Sequence, residues 1–164
     1  MTIEDIAVAC VVANADELPE LAHSLRRAYS PKRILKGLEG INPDCYPIPM
    51  VENLTASHGN FRATYPRPEG DWLTREEAVK EYGRLGNIVH RNLKAYEGDP
   101  VDYVEVYTRC AYLNDKISNL LSHHQITVLN ENMMYRILMS GTGVDDNGVS
   151  FEGRIQVAEF TRIT

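Results

Sequence analysis

The chain has 164 residues, 43% hydrophobic and 24% charged, with 17 Lys and Arg against 23 Asp and Glu for a net charge of −6. That length and balance suit one self-sufficient globular domain over residues 1–164 and exclude wholesale disorder. The acidic balance also disfavours tight non-specific binding of nucleic acid, DNA included, because such binding rests on neutralising many phosphates.

The longest apolar run, Ile6 to Ala13, follows Glu4 and Asp5 rather than a basic cluster and is far too short to span a bilayer. No signal peptide, transmembrane helix or membrane partner is expected. Cys10, Cys45 and Cys110 are odd in number and lack metal-ligand spacing, so neither a disulfide framework nor a zinc site is expected. Free thiols in a reducing cytoplasm fit best, with no metal and no cofactor.

Ile3, Ile6, Ala7, Cys10 and Val11 recur at helical spacing, and Leu18, Leu21, Leu25 and Tyr29 continue it after a polar break at Asn14-Ala15-Asp16. Helices are therefore expected over about 3–40, although the β-branched run Val8 to Val12 also fits a buried strand. Pro31 starts a short third helix ending near Gly37 or Gly40. Residues 41–71 hold five of the eight prolines and read as a long irregular connection. It either covers an apolar face through Tyr46, Ile48, Met50 and Phe61 or forms the lip of a site.

Thr74-Arg75-Glu76-Glu77 has the form of a capping box and predicts a helix from Arg75 to about Tyr96. Asp99-Pro100 predicts a second start. Val101, Val104, Tyr107, Ala111, Ile117, Leu120 and Leu121 then form an apolar stripe running to about His123. The short intervening loop makes the two helices, over 75–123, an antiparallel pair. Beyond His124 the period changes to two: Tyr135, Ile137 and Met139, then Phe151, Ile155 and Val157, flank a turn-rich stretch at 140–148. A β-hairpin over 126–163 is expected, with Ile126 to Leu129 as a possible third strand. The expected fold class is mainly α, an antiparallel helical bundle with a small C-terminal β-hairpin or three-stranded sheet.

Arg84 and His90 stand six positions apart on the helix of the capping box. Histidine moves protons near neutral pH and arginine holds phosphate, so the pair is the candidate for chemistry. Asn87 lies between them. Gly83 and Gly86 each cost a helix roughly 1 kcal/mol relative to alanine. Either another helix or a phosphate backbone approaching His90 would explain them. Arg26, Arg27, Lys32, Arg33 and Lys36 form one basic cluster without an acid between them, and Arg84, Arg91 and Lys94 a second. Such runs are more often solvated helix faces than binding sites. His123-His124 is read as favourable charge at a helix C-terminus. No Walker loop, dinucleotide fingerprint or HExxH is present, and Asp145-Asp146-Asn147-Gly148 reads as a hairpin turn rather than a calcium loop.

Arg84, five intervening residues and His90, on a long helix of an antiparallel pair, resemble the motif of the HEPN domain (higher eukaryote and prokaryote nucleotide-binding). The likeness covers roughly residues 76–124. It departs from the family pattern at Leu85, where a polar residue more often follows the arginine, and in its C-terminal hairpin. The resemblance implies a helical bundle that forms a homodimer with a shared cleft and cleaves RNA without a metal, as a toxin or defence effector. His90 would then act as general acid or base, Arg84 would stabilise phosphate charge and Asn87 would orient either group. The two basic clusters, Arg26, Arg27, Lys32 and Arg33 with Arg91 and Lys94, would hold the RNA. The alternative is a non-enzymatic module in which the helical pair and hairpin bind a protein partner or another copy of the chain.

Overall fold

The structure, a computed structural model, describes residues 2–16, 30–58, 61–94, 102–129, 133–139, 142–144, 150–152 and 156–161. Within them, the side chains at 53–58, 61–63, 89–94, 133, 142–144, 150–152 and 156–161 lie outside the description. Four helices are described: α1 (Thr2–Ala13), α2 (Pro31–Glu39), α3 (Arg75–Lys94) and α4 (Tyr103–Leu121). Seven strands accompany them: β1 (Ile48–His58), β2 (Phe61–Pro66), β3 (His123–Thr127), β4 (Met133–Leu138), β5 (Thr142–Val144), β6 (Ser150–Glu152) and β7 (Gln156–Thr161).

The sheet overturns the expectation of a mainly helical bundle with a small C-terminal hairpin. Five antiparallel strands run in the order β2-β1-β3-β4-β7, and β5 pairs with β6 separately, so the fold is α+β. The two additional strands come from the proline-rich segment that reads as irregular. Its prolines sit where the ladder tolerates a missing N–H: Pro66 closes edge strand β2, and Pro49 lies one residue inside the start of β1. The Pro49 carbonyl remains useful, accepting from the Arg67 amide at 2.8 Å. Of the expected C-terminal hairpin, β4 pairs with β7, with Tyr135 opposite Glu159 and Ile137 opposite Val157, whereas Phe151 belongs to β6 and pairs with Gly143 of β5, a strand that begins within the stretch expected to be a turn.

Helix α1 buries Ile3, Ile6, Ala7, Cys10 and Val11, the residues its periodicity selects, so the strand alternative for Val8 to Val12 is excluded. Leu18, Leu21, Leu25 and Tyr29 lie outside the described residues. Pro31 opens α2, where its fixed φ and missing N–H cost nothing. Ile34, Leu35 and Leu38 of α2 join α1, Cys45, Tyr46, Leu73 and Ala78 in the core, together with Leu113 and Leu120 of α4. The Tyr46 hydroxyl donates to the Leu73 carbonyl at 3.1 Å inside this core.

Asn14 ties the layers together, although it reads as a break between helices. It is buried, and its amide donates to the Cys10 carbonyl at 2.9 Å. Its oxygen accepts from the Asn42 amide at 2.9 Å and the Leu129 backbone at 3.2 Å. Asn42 in turn donates to the Thr127 carbonyl at 2.9 Å. Two buried amides thus join α1, the turn after α2 and the end of β3, each with its polar atoms satisfied. Among the described residues, no helix is long and apolar enough to cross a membrane.

Candidate functional site

The α3–α4 pair carries the residues of interest, and both helix starts follow from local chemistry. The Glu77 amide donates to the Thr74 hydroxyl, and the Thr74 amide donates to the Glu77 carboxylate, each at 3.2 Å. This is the reciprocal capping box read from the sequence. The start of α4 differs from expectation. Asp99 and Pro100 lie outside the described residues, and the N-cap is Asp102, whose carboxylate accepts from the amides of Val104 and Glu105 at 2.9 and 3.0 Å.

Three ion pairs link the antiparallel helices as rungs. Lys116 reaches both oxygens of Glu77 at 2.6 and 2.8 Å, Arg109 grips Glu81 through two bonds, and Arg84 meets Glu105 at 2.6 Å. The rungs grade from wet to dry. Arg84 and Glu105 are both exposed, whereas Glu81 and Lys116 are buried. The ring of Tyr112 lies under both the Arg109 guanidinium and the Lys116 ammonium, at 4.9 and 5.1 Å from its centre.

Arg84 is therefore already engaged by a carboxylate. Asn87, one turn further on, is exposed. His90, Arg91 and Lys94 lie on the α3 backbone, but their side chains are outside the described residues, so no geometry joins Arg84 to His90. Arg26 and Arg27 are also outside them. Lys32 and Arg33, with Lys36, occupy the exposed side of α2, opposite the buried Ile34, Leu35 and Leu38. That is the solvated-face arrangement such runs usually adopt. Gly83 and Gly86 do not permit a close approach within the fold: a Cβ at either would meet nothing within 4 Å.

His123 and His124 stand in strand β3 rather than at a helix end, because α4 stops at Leu121 with Ser122 as its C-cap. They point to opposite faces of the sheet. His124 is buried, and its Nδ1 lies 2.9 Å from the Leu121 carbonyl, so this ring still satisfies the end of the helix. Burial lowers the pKa of both rings; the bond to Leu121 partly offsets this for His124, and the charge of Glu52 for His123, where Arg136 works the other way. Among the described residues, no group of three His, Cys, Asp or Glu side chains is placed to hold a metal ion.

The apolar stripe of α4 divides in two. Its C-terminal half enters the core through Leu113 and Leu120, with Ile117 and Leu121 packed against it. Its N-terminal half remains in water: Tyr103 is 74% exposed, Val104 75% and Tyr107 77%, and Cys110 and Ala111 are exposed beside them. Aromatic side chains bury 150–250 Å² when covered, so the two tyrosines alone leave roughly 250–350 Å² open to solvent. Single exposed apolar residues are ordinary, but a continuous row on one helix face is not. The row itself carries no charge: Asp102, Glu105, Arg109 and Lys116 fall on another side of α4, and Asp115 stands at the row's edge, one turn beyond Ala111. The helical period locates this row in the sequence. What the period does not show is that only half of it is covered.

No family model matches the chain, and no curated protein or solved structure matches it either.

Proposed function

We propose that this chain is a non-enzymatic interaction module that associates through the N-terminal face of α4. The observation that carries the reading is the uncharged row Tyr103, Val104, Tyr107, Cys110 and Ala111 in water on an otherwise anchored helix. Covering such a row gains the hydrophobic free energy that the monomer forgoes. Arg84 lends the ribonuclease reading no support, because its guanidinium faces Glu105 at 2.6 Å. A reducing, cytoplasmic setting suits three free thiols, one of them exposed within the row.

Two measurements test the module. Purified protein is incubated in EDTA with labelled single-stranded and transfer RNAs beside an Arg84→Ala control; intact RNA is expected, and cleavage that Arg84→Ala abolishes would overturn the reading. In parallel, Tyr103→Ser/Tyr107→Ser is unfolded in urea. A face reserved for a partner contributes little to the isolated fold, so the stability change should stay within about 0.5 kcal/mol. A loss of several kcal/mol would place these tyrosines in the monomer's own structure and remove the basis for the proposal.

A further inference from the structure

The spacing of the exposed row names its occupant. Tyr103, Tyr107, Cys110, Asn114, Ile117 and Leu121 follow one another at intervals of four, three, four, three and four. This is the alternation with which one helix meets another in a coiled coil, each side chain seated between four of its neighbour's. The row's first four members, Tyr103, Tyr107, Cys110 and Asn114, keep that repeat while all of them face water. Its last two members, Ile117 and Leu121, pack against the protein's core, so the seam is anchored at that end and free at the other.

We propose, on the interaction-module reading, that the partner is a second copy of this chain, with the two α4 helices paired side by side in parallel and in register. Two features select a copy over an unrelated helix. The first is Asn114, an exposed amide in the middle of the seam. In a parallel pair it meets its own counterpart, and two facing amides each supply the donor and the acceptor the other needs. A single asparagine at such a position fixes register and pairing at some cost in stability.

The second feature is charge. A two-fold axis sets every seam residue against itself, so any charge there would repel its copy, and the chain is already at −6. The seam carries none, and neither does the adjoining row Val104, Ala111 and Ser118. The charged residues of α4 that pair with α3, Glu105, Arg109 and Lys116, lie on another side. With fewer than two heptads of the seam exposed, and much of the contact from two tyrosines, the pairing is weak, about micromolar or weaker.

Cys110 supplies the test, since parallel pairing brings it beside its counterpart. Cys10 and Cys45 are buried, and burial pushes the Cys10 thiol up to about 12 and raises that of Cys45, so Cys110 alone should react. The full chain is treated with diamide at rising protein concentration and run on a non-reducing gel. A covalent dimer is expected that is lost in Cys110→Ser and at least tenfold reduced in Tyr107→Lys, with a matching tenfold rise in the Kd from sedimentation. Cys110→Ser/Asn114→Cys then reads the orientation. Parallel helices place residue 114 beside its copy and restore the crosslink, whereas antiparallel helices centred on residue 110 hold the two roughly 12 Å apart at 1.5 Å per residue.

A parent that stays monomeric at every concentration overturns the pairing, as does a crosslink that Tyr107→Lys leaves intact or one absent at residue 114. A folded monomer with intact RNA would leave the module reading standing with a different partner. RNA cleavage that Arg84→Ala abolishes would remove both.

Discussion

Arg109 clamps Glu81 across the α3–α4 interface: Nε donates to one carboxylate oxygen at 2.8 Å and a terminal nitrogen to the other, with Glu81 almost wholly buried. A carboxylate there is tolerable only while the guanidinium neutralises it. Arg109→Ala should therefore cost about 2–3 kcal/mol, somewhat less than a fully enclosed pair because Arg109 keeps some contact with water. Replacing both partners by leucine should recover most of the loss, since no charge is then left behind. Urea unfolding of the parent, the single variant and the double variant checks this. A double variant as unstable as the single would show that packing rather than charge sets the cost.

Arg84 and Glu105 make the same type of bond at 2.6 Å with both side chains in water, and the consequence is different. Solvent screens such a pair, and ordering two long side chains offsets much of the attraction. Arg84→Gln should shift stability by less than about 1 kcal/mol, and 0.5 M salt should remove what effect there is. A larger loss in the same urea assay would mean that this outermost rung, like the inner two, holds the helices together.

Asn14 is the position where reading by residue type fails most instructively. Asn-Ala-Asp after an apolar run signals a surface turn, and the chain does turn there. The amide nevertheless faces inward, because the donors that satisfy its oxygen come from Asn42 and Leu129, far along the chain, and Asn42 is itself held by the Thr127 carbonyl. Asn14→Leu should cost about 2–4 kcal/mol, leaving the Leu129 amide and the Asn42 side chain buried without their acceptor. Thermal unfolding should show a fall in Tm on the order of 5–10 °C. An unchanged Tm would mean that water replaces the amide.

The same distinction separates the rest of the fold into legible and hidden parts. Local signals were readable: the buried set of α1 from its period, the start of α2 at Pro31, and the Thr74–Glu77 box that opens α3. Strand β1 was not, because Pro47 and Pro49 mask the run Ile48 to Val51, and only pairing with β2 and β3 makes it a strand. The wet half of the α4 stripe was hidden for a related reason. Val104 and Leu120 look equivalent in sequence, and only the placement of the sheet and α1 decides which is covered. Arg84 was legible as a cation on a helix but not as one taken by Glu105, a partner 21 positions away.

Acidification should destabilise the fold before its carboxylates titrate. Burial depresses the pKa of His123 and His124 in the folded protein, so the unfolded chain binds more protons than the native one as pH falls. Their contribution is fully present above the unfolded value of about 6.5 and is lost as pH drops below it toward the folded values. The urea midpoint should be flat between pH 8 and 7 and fall by pH 5.5. His124→Gln, which keeps a donor for the Leu121 carbonyl but cannot charge, should flatten that fall. A midpoint independent of pH from 8 to 5.5 would show that neither ring resists protonation.

Gly83 and Gly86 give the last prediction, and it bears on function as well as stability. Both lie inside α3, where glycine costs backbone entropy, and space is open at each. Alanine at either position should therefore stabilise the isolated protein by about 0.5–1 kcal/mol, partly by restricting the unfolded chain. Natural sequences keep such glycines when something outside the fold needs the room, and α3 presents them on the helix that carries Arg84 and Asn87. If the α4 face is the whole interaction surface, Gly83→Ala and Gly86→Ala will raise the urea midpoint and leave self-association unchanged. A variant that is more stable but associates at least tenfold more weakly would extend the contact surface onto α3 and give the two glycines their reason.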